Sequence, residues 1–340
     1  MDPIRRLVHL RGSVRPAADP DSLRRHRHRR GATDTTAAPT GPADHSQARP
    51  RRPFLEPHPH HPRPARRDRD APAIAWFRVP SGRLDDDGPV FLLIHGVGLS
   101  HRSFSRLARE LSPHGAVIAP DLPGFGSAPG ARRGLSIEEM AQALLPRLDR
   151  GTIGHRGLVV LGHSLGAEVA IEIARLRPAL TLGVVLVGPV VDPEASSAFG
   201  QARRLLIDML QEPPLTGAMV ARDYIRGGLL SFAAGVTSML RYTTADRISS
   251  VTAPVLIMRG ARDPVAPAPW VARLHHSAPG GYTAEIANAV HNVVHSHPRA
   301  VADDVVDFAM ALVGPSRRCG PGAPSPAPVT AERLRGTVAD

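Results

Sequence analysis

The stretch Gly162-His163-Ser164-Leu165-Gly166 limits the fold most, because it sets a serine between two glycines where an apolar strand meets a helix. Upstream, Leu158-Val159-Val160-Leu161 is short, β-branched and wholly apolar, as in a strand buried on both faces of a parallel sheet. Downstream, Val169, Ile171 and Ile173 alternate with Glu168, Glu172 and Arg175 until Arg177-Pro178 ends the segment, which reads as a helix with a moderate apolar stripe. A turn this sharp strains its central residue and brings the flanking chain close. The positions two before and two after the serine must then be nearly free of side chain, and Gly162 and Gly166 meet that need.

With 340 residues the chain is long enough for a large core. Its net charge of +11 is unevenly spread: residues 1–70 hold 16 arginines against 8 acidic residues and so carry +8 of it. All 42 basic residues are arginine, a bias of coding rather than the mark of a binding surface. The run Arg24-Arg25-His26-Arg27-His28-Arg29-Arg30 has no nucleic-acid-binding motif beside it, so no nucleic-acid partner is expected. Pro57-His58-Pro59-His60-His61-Pro62 lacks the fixed geometry of a metal site. The single cysteine, Cys319, excludes an intrachain disulfide. No apolar run reaches the roughly 18–20 residues of a membrane span, and no apolar segment follows the first residues as in a secretory signal, so a cytoplasmic protein is expected. Oligomeric state is not legible.

Residues 1–70 are Arg-, His- and Pro-rich and expected to be disordered, as is the Pro/Gly-rich tail 314–340. Between them, 71–313 alternates strands with helices. Ile74–Val79 reads as an edge strand left by a turn at Asp85–Gly88. Val90–Ile94 runs into His95-Gly96-Val97-Gly98, and a helix follows with Phe104, Leu107 and Leu111 at core spacing. Ala116–Ala119 ends in Pro120-Asp121-Leu122-Pro123-Gly124-Phe125-Gly126, and Ser136 with Glu139 makes a capping box before the next helix. Further strands are Val184–Val187 and Pro254–Met258, and Pro298–Val313 is a final core-packing helix. This spacing predicts parallel βαβ units, an α/β fold.

His95-Gly96 after one strand, Asp121 to Gly126 after the next and the glycine-flanked Ser164 occur in an order that resembles the α/β-hydrolase superfamily over residues 73–313. The resemblance implies a mostly parallel central sheet with helices on both faces and a small helical cap at about 190–250, where the alternation lapses. In the cap, Arg203–Gln211 and Gly217–Leu230 are expected helices whose apolar residues pack on the sheet and in part line a pocket.

A serine hydroxyl is a weak nucleophile near neutral pH and needs an imidazole base whose tautomer a carboxylate fixes. The resemblance implies the chain order Ser164, acid, histidine. For the acid, Asp263 stands three residues after Gly260 at a strand end and just before Pro264, as in the family, and is selected over its competitor Asp192, past Val184–Val187. For the histidine, His291, His295 and His297 compete, and the family's spacing to a proline opening the last helix, here Pro298, selects His291. Members often carry glycine just before this histidine, where this chain has Ala289-Val290. The implied oxyanion donors are the amides of Val97 and Leu165, with His95, His163 and Asp121 structural. The expected activity is cofactor-independent cleavage of an ester or related acyl bond in a small, largely apolar substrate. A C–C bond hydrolase, thioesterase, lactonase or cofactor-free haloperoxidase would use the same triad, and a non-catalytic ligand-binding protein of this fold is the alternative of another class.

Overall fold

A computed structural model of the chain describes residues 56–57, 72–79, 88–130, 134–149, 156–192, 222–223 and 228–313. The tails, apart from 56–57, the expected turn at Asp85–Gly88 apart from Gly88, the cap helix Arg203–Gln211 and Cys319 lie outside these residues.

Among the described residues, eight strands form one sheet in the order β1-β2-β4-β3-β5-β6-β7-β8. They are β1 (Glu56–Pro57), β2 (Ala75–Val79), β3 (Val90–Ile94), β4 (Ala116–Asp121), β5 (Leu158–His163), β6 (Thr181–Val187), β7 (Val255–Gly260) and β8 (Gly281–Ile286). From β4 through β8 all pairs are parallel, whereas β1 on β2 and β2 on β4 are antiparallel. β2 is therefore not the edge: Glu56 and Pro57, within the segment assigned to the N-terminal tail, pair outside it.

The helices among the described residues are α1 (Leu107–Leu111), preceded by a 3-10 turn at His101–Phe104, α2 (Ile137–Arg147), α3 (Leu165–Leu176), α4 (Leu229–Arg241), α5 (Thr244–Ile248), α6 (Ala268–Ser277), α7 (Val293–Ser296) and α8 (Pro298–Val313). The capping box forms as expected: Glu139 N–H donates to Ser136 Oγ at 3.2 Å, and Ser136 N–H to Glu139 Oε2 at 2.9 Å. Successive strand residues serve opposite layers. Leu92, Ile94 and Val160 pack with Leu144, Val169 and Trp270 of α2, α3 and α6. Phe91, Leu93 and Val159 pack with Leu107 and Val305 of α1 and α8. Helices cover both faces, so the central strands have no polar side and read as unbroken apolar runs.

Two expectations fail locally. α3 is buried nearly all round, Glu168 and Glu172 included, so the moderate apolar stripe read from its sequence understates its burial. The helix expected to continue through Leu230 is interrupted by Gly228, which takes a positive φ of 76° and precedes α4, and Leu230 is 88% exposed rather than packed. Among the described residues, no helix is long and apolar enough to cross a membrane.

Candidate active site

The carboxyl ends of the parallel strands lie on one edge of the sheet, where open α/β sheets bind ligands. Ser164 stands there between β5 and α3 with φ 55° and ψ −123°, a left-handed conformation rarely taken by residues other than glycine. Its N–H is held by the carbonyl of Val187 on β6 at 3.0 Å. The flanking glycines are required by contact. A Cβ at position 162 would lie 2.0 Å from the Gly166 carbonyl oxygen, and one at 166 would lie 2.1 Å from that of Ile94.

The loop after β3 passes beside the serine, since a Cβ at Gly96 would meet Ser164 Cβ at 3.1 Å. His95 shapes this loop. Its Nε2 accepts the Leu122 N–H at 3.0 Å, so Nδ1 carries the proton and donates to the Gly96 carbonyl at 2.8 Å. Burial holds the ring's pKa below its ordinary value, consistent with that neutral tautomer. Among the described residues the Val97 N–H has no acceptor, and Leu165 opens α3, where first-turn N–H groups lack intrahelical carbonyls. The two side chains converge on α4: a Cβ at Gly235 would lie 2.9 Å from Val97 Cγ2 and 3.7 Å from Leu165 Cδ1.

Asp263 and His291 meet from the loops after β7 and β8. His291 Nδ1 is 2.9 Å from Asp263 Oδ2, while Asp263 Oδ1 accepts the Val265 and Ala266 amides at 2.8 and 3.0 Å. Burial alone would raise the Asp263 pKa, but the adjacent His291 and these hydrogen bonds outweigh it and hold the acid below its ordinary value, as the carboxylate. The pair sits at the end of β6, the strand whose Val187 carbonyl holds the Ser164 N–H, because a Cβ at Gly188, next to Val187, would lie 2.9 Å from His291 Cε1 and 3.2 Å from Asp263 Oδ2. Asp263, His291 and Ser164 are 2%, 3% and 6% exposed, so the arrangement is shielded from water.

The competing residues lie elsewhere. Asp192 pairs with Arg273 on α6 at 2.5 Å. His295, on α7, has its pKa lowered by burial and by Arg106, and His297 Nδ1 contacts Ser296 Oγ at 2.9 Å. Asp121 accepts the His101 N–H and the Ser127 N–H, both at 2.7 Å, and so ties the loop after β4 to the turn after β3. Among the described residues no cluster of three His, Cys, Asp or Glu side chains suits a metal ion.

Two supporting features carry no motif. Arg259, at the end of β7 and 7% exposed, donates Nε to the Ala266 carbonyl at 2.8 Å and Nη2 to those of Ala261 and Asp263 at 3.2 and 3.3 Å. Its Nη1 pairs with Glu285 on β8. On α4, Phe232, Val236 and Met239 share the core that holds Val97, Phe125 and Leu165. An arginine beside a strand-end glycine gives a sequence reader no cue of this kind, and α4 shows only as another apolar stretch.

Residues 91–304 match the model of the alpha/beta hydrolase family. The pimeloyl-[acyl-carrier protein] methyl ester esterase of Pectobacterium atrosepticum is 26% identical over 276 residues, 70% of this chain and 99% of that protein. The magnesium-chelatase 30 kDa subunit of Rhodobacter capsulatus is 38% identical over 106 residues, but these are 31% of this chain and 36% of that subunit, so the match spans about a third of its length. A thermophilic esterase from Thermogutta terrifontis superposes with a TM-score of 0.59 over 69% of this chain and 92% of that one, at 21% identity, a likeness of fold.

Proposed function

This chain belongs to the alpha/beta hydrolase family, and from that premise we propose that it cleaves a carboxylic ester of a small, largely apolar substrate through an acyl-enzyme on Ser164, with no cofactor. The observation that carries the proposal is the 2.9 Å contact between His291 Nδ1 and Asp263 Oδ2. It fixes the proton on Nδ1 and leaves the Nε2 lone pair to act as base. Ser164 Oγ attacks the carbonyl carbon as His291 Nε2 takes the hydroxyl proton. The Val97 and Leu165 N–H groups receive the negative charge on the tetrahedral oxygen. Collapse expels the alcohol, to which His291 returns the proton, and water then attacks the acyl-enzyme with the same base.

The match to an esterase over 99% of its length supports ester chemistry. The helical residues between β6 and β7 act as a cap, and the apolar face that α4 turns to Val97 and Leu165 favours an apolar acyl or aryl group. The same triad serves C–C bond, thioester and lactone cleavage, so a substrate series decides. p-Nitrophenyl esters of increasing chain length are compared with thioesters and lactones, and ester turnover is expected to dominate. A fluorophosphonate probe is expected to label the wild type and not Ser164→Ala. Absence of labelling in the wild type would leave a ligand-binding protein in place of an enzyme.

A further inference from the structure

His163 is the last residue of β5 and the neighbour of Ser164, it is 1% exposed, and the mechanism above gives it no task. Its Nε2 lies 3.0 Å from the carbonyl oxygen of His291. A carbonyl only accepts, so Nε2 carries the proton and donates. Nδ1 is then a bare lone pair, and it is buried without a partner among the described residues. Leaving a buried acceptor unpaired is costly, so the donor on the other side of the ring is what the position retains.

The bond crosses the sheet. β5 and the loop after β8 are separated by β6 and β7 in the strand order, and His163 is 128 residues from His291. Asp263 grips the His291 ring, whereas His163 grips the His291 backbone from the nucleophile's own strand end. The two contacts fix different things: the first sets the tautomer and ring orientation, the second the distance from base to nucleophile.

We infer that His163 is a positioning residue that holds His291 at working distance from Ser164 by donating Nε2–H to the His291 carbonyl. The inference rests on the serine-hydrolase function proposed above. Two further features fit it. The imidazole rings of His163 and His291 are 4.9 Å apart, so a charge on His163 would oppose the imidazolium that forms on His291 during turnover. Burial, with repulsion from His291, pushes the His163 pKa down to about 3, so the link is made by a neutral ring.

The test compares two amides that differ in reach. A glutamine amide nitrogen falls near the imidazole Nε2 position and that of asparagine near Nδ1. His163→Gln is expected to keep kcat per fluorophosphonate-titrated site within about threefold of wild type, while His163→Asn loses about 10- to 100-fold in kcat with KM little changed, the scale set by displacing a reacting group by about 1 Å. Equal kcat in the two variants would overturn the inference, because a residue that only fills space or supplies polarity does not separate them. Ring ¹⁵N NMR of His291 reads the same link without turnover. The His291 titration is expected to match wild type in His163→Gln and to shift in His163→Asn. If the wild type neither turns over esters nor reacts with the probe, the enzymatic function fails on its own, and an unchanged His291 titration in both variants would separately defeat the positioning link.

Discussion

The His291 ring reaches Asp263 Oδ2 at 2.9 Å, whereas Asp192, the other acid past a strand end, is turned to Arg273 at 2.5 Å. The acids are thus expected to separate under isosteric substitution. Asp263→Asn should lower kcat by about 10³–10⁴-fold, because an amide misdirects the imidazole tautomer. Asp192→Asn should leave kcat within about threefold and lower the melting temperature instead. Steady-state kinetics with thermal melts of both proteins decide; a larger kcat loss in Asp192→Asn would transfer the role.

Arg259 gathers three carbonyls of the loop that carries Asp263. A lysine brings one charged nitrogen and cannot reproduce that fork. Arg259→Lys is expected to cost about 1–3 kcal/mol of stability, the range for buried groups left unpaired, and to reduce kcat more than KM as Asp263 loosens. Urea unfolding and kinetics per titrated site check it, and an unchanged kcat would show that the loop holds its shape unaided.

Glu168 lies on α3 one turn after Ser164, fully buried, and burial raises its pKa well above the ordinary value of 4.5. The Thr244 hydroxyl donates to the Val190 carbonyl at 2.8 Å, and its oxygen lies 3.4 Å from Glu168 Oε1. Above pH 4.5 the unfolded chain releases a proton that the folded chain keeps, so stability falls as pH rises from there towards the folded pKa. Glu168→Gln keeps the volume and a donor but does not ionise. It should be more stable than wild type at neutral pH, with the advantage vanishing near about pH 4. Urea midpoints across pH test the sign, and a constant difference would refute it.

Gly235 brings α4 against Val97 and Leu165, the proposed oxyanion donors. Its added Cβ would meet Val97 Cγ2 at 2.9 Å and Phe125 Cζ at 3.1 Å, both in a filled core. Gly235→Ala is expected to cost about 1–3 kcal/mol, as overpacking does. By lifting α4 it should change relative kcat/KM across a p-nitrophenyl ester chain-length series. An unaltered chain-length profile would mean that α4 does not bound the acyl pocket.

Much of this was legible without coordinates. The β-branched run before Ser164, the bracketing glycines and the Ser136–Glu139 box are local patterns, and local sterics and hydrogen bonding produce them in any context that completes the fold. The roles of Glu168 and Glu172 were not legible, because burial of α3 depends on α5 and the segment after β6 closing over it. Spacing to Gly260 and the following Pro264 favoured Asp263 over Asp192, but both follow apolar strands, and the contact itself depends on the strand order that brings the loop after β7 beside His291.

The sequence by itself determined the parallel α/β architecture and the strained serine turn, since alternating apolar runs and paired glycines leave few other ways to bury the chain. Only the tertiary structure shows that Asp263, the acid the sequence favours, reaches the His291 ring, that His163 ties β5 to the His291 backbone, and how closely α4 meets Val97 and Leu165. Those contacts join residues from 28 positions apart, Asp263 and His291, to 138, Val97 and Gly235. They depend on where crossovers deliver each strand end, which no local pattern encodes.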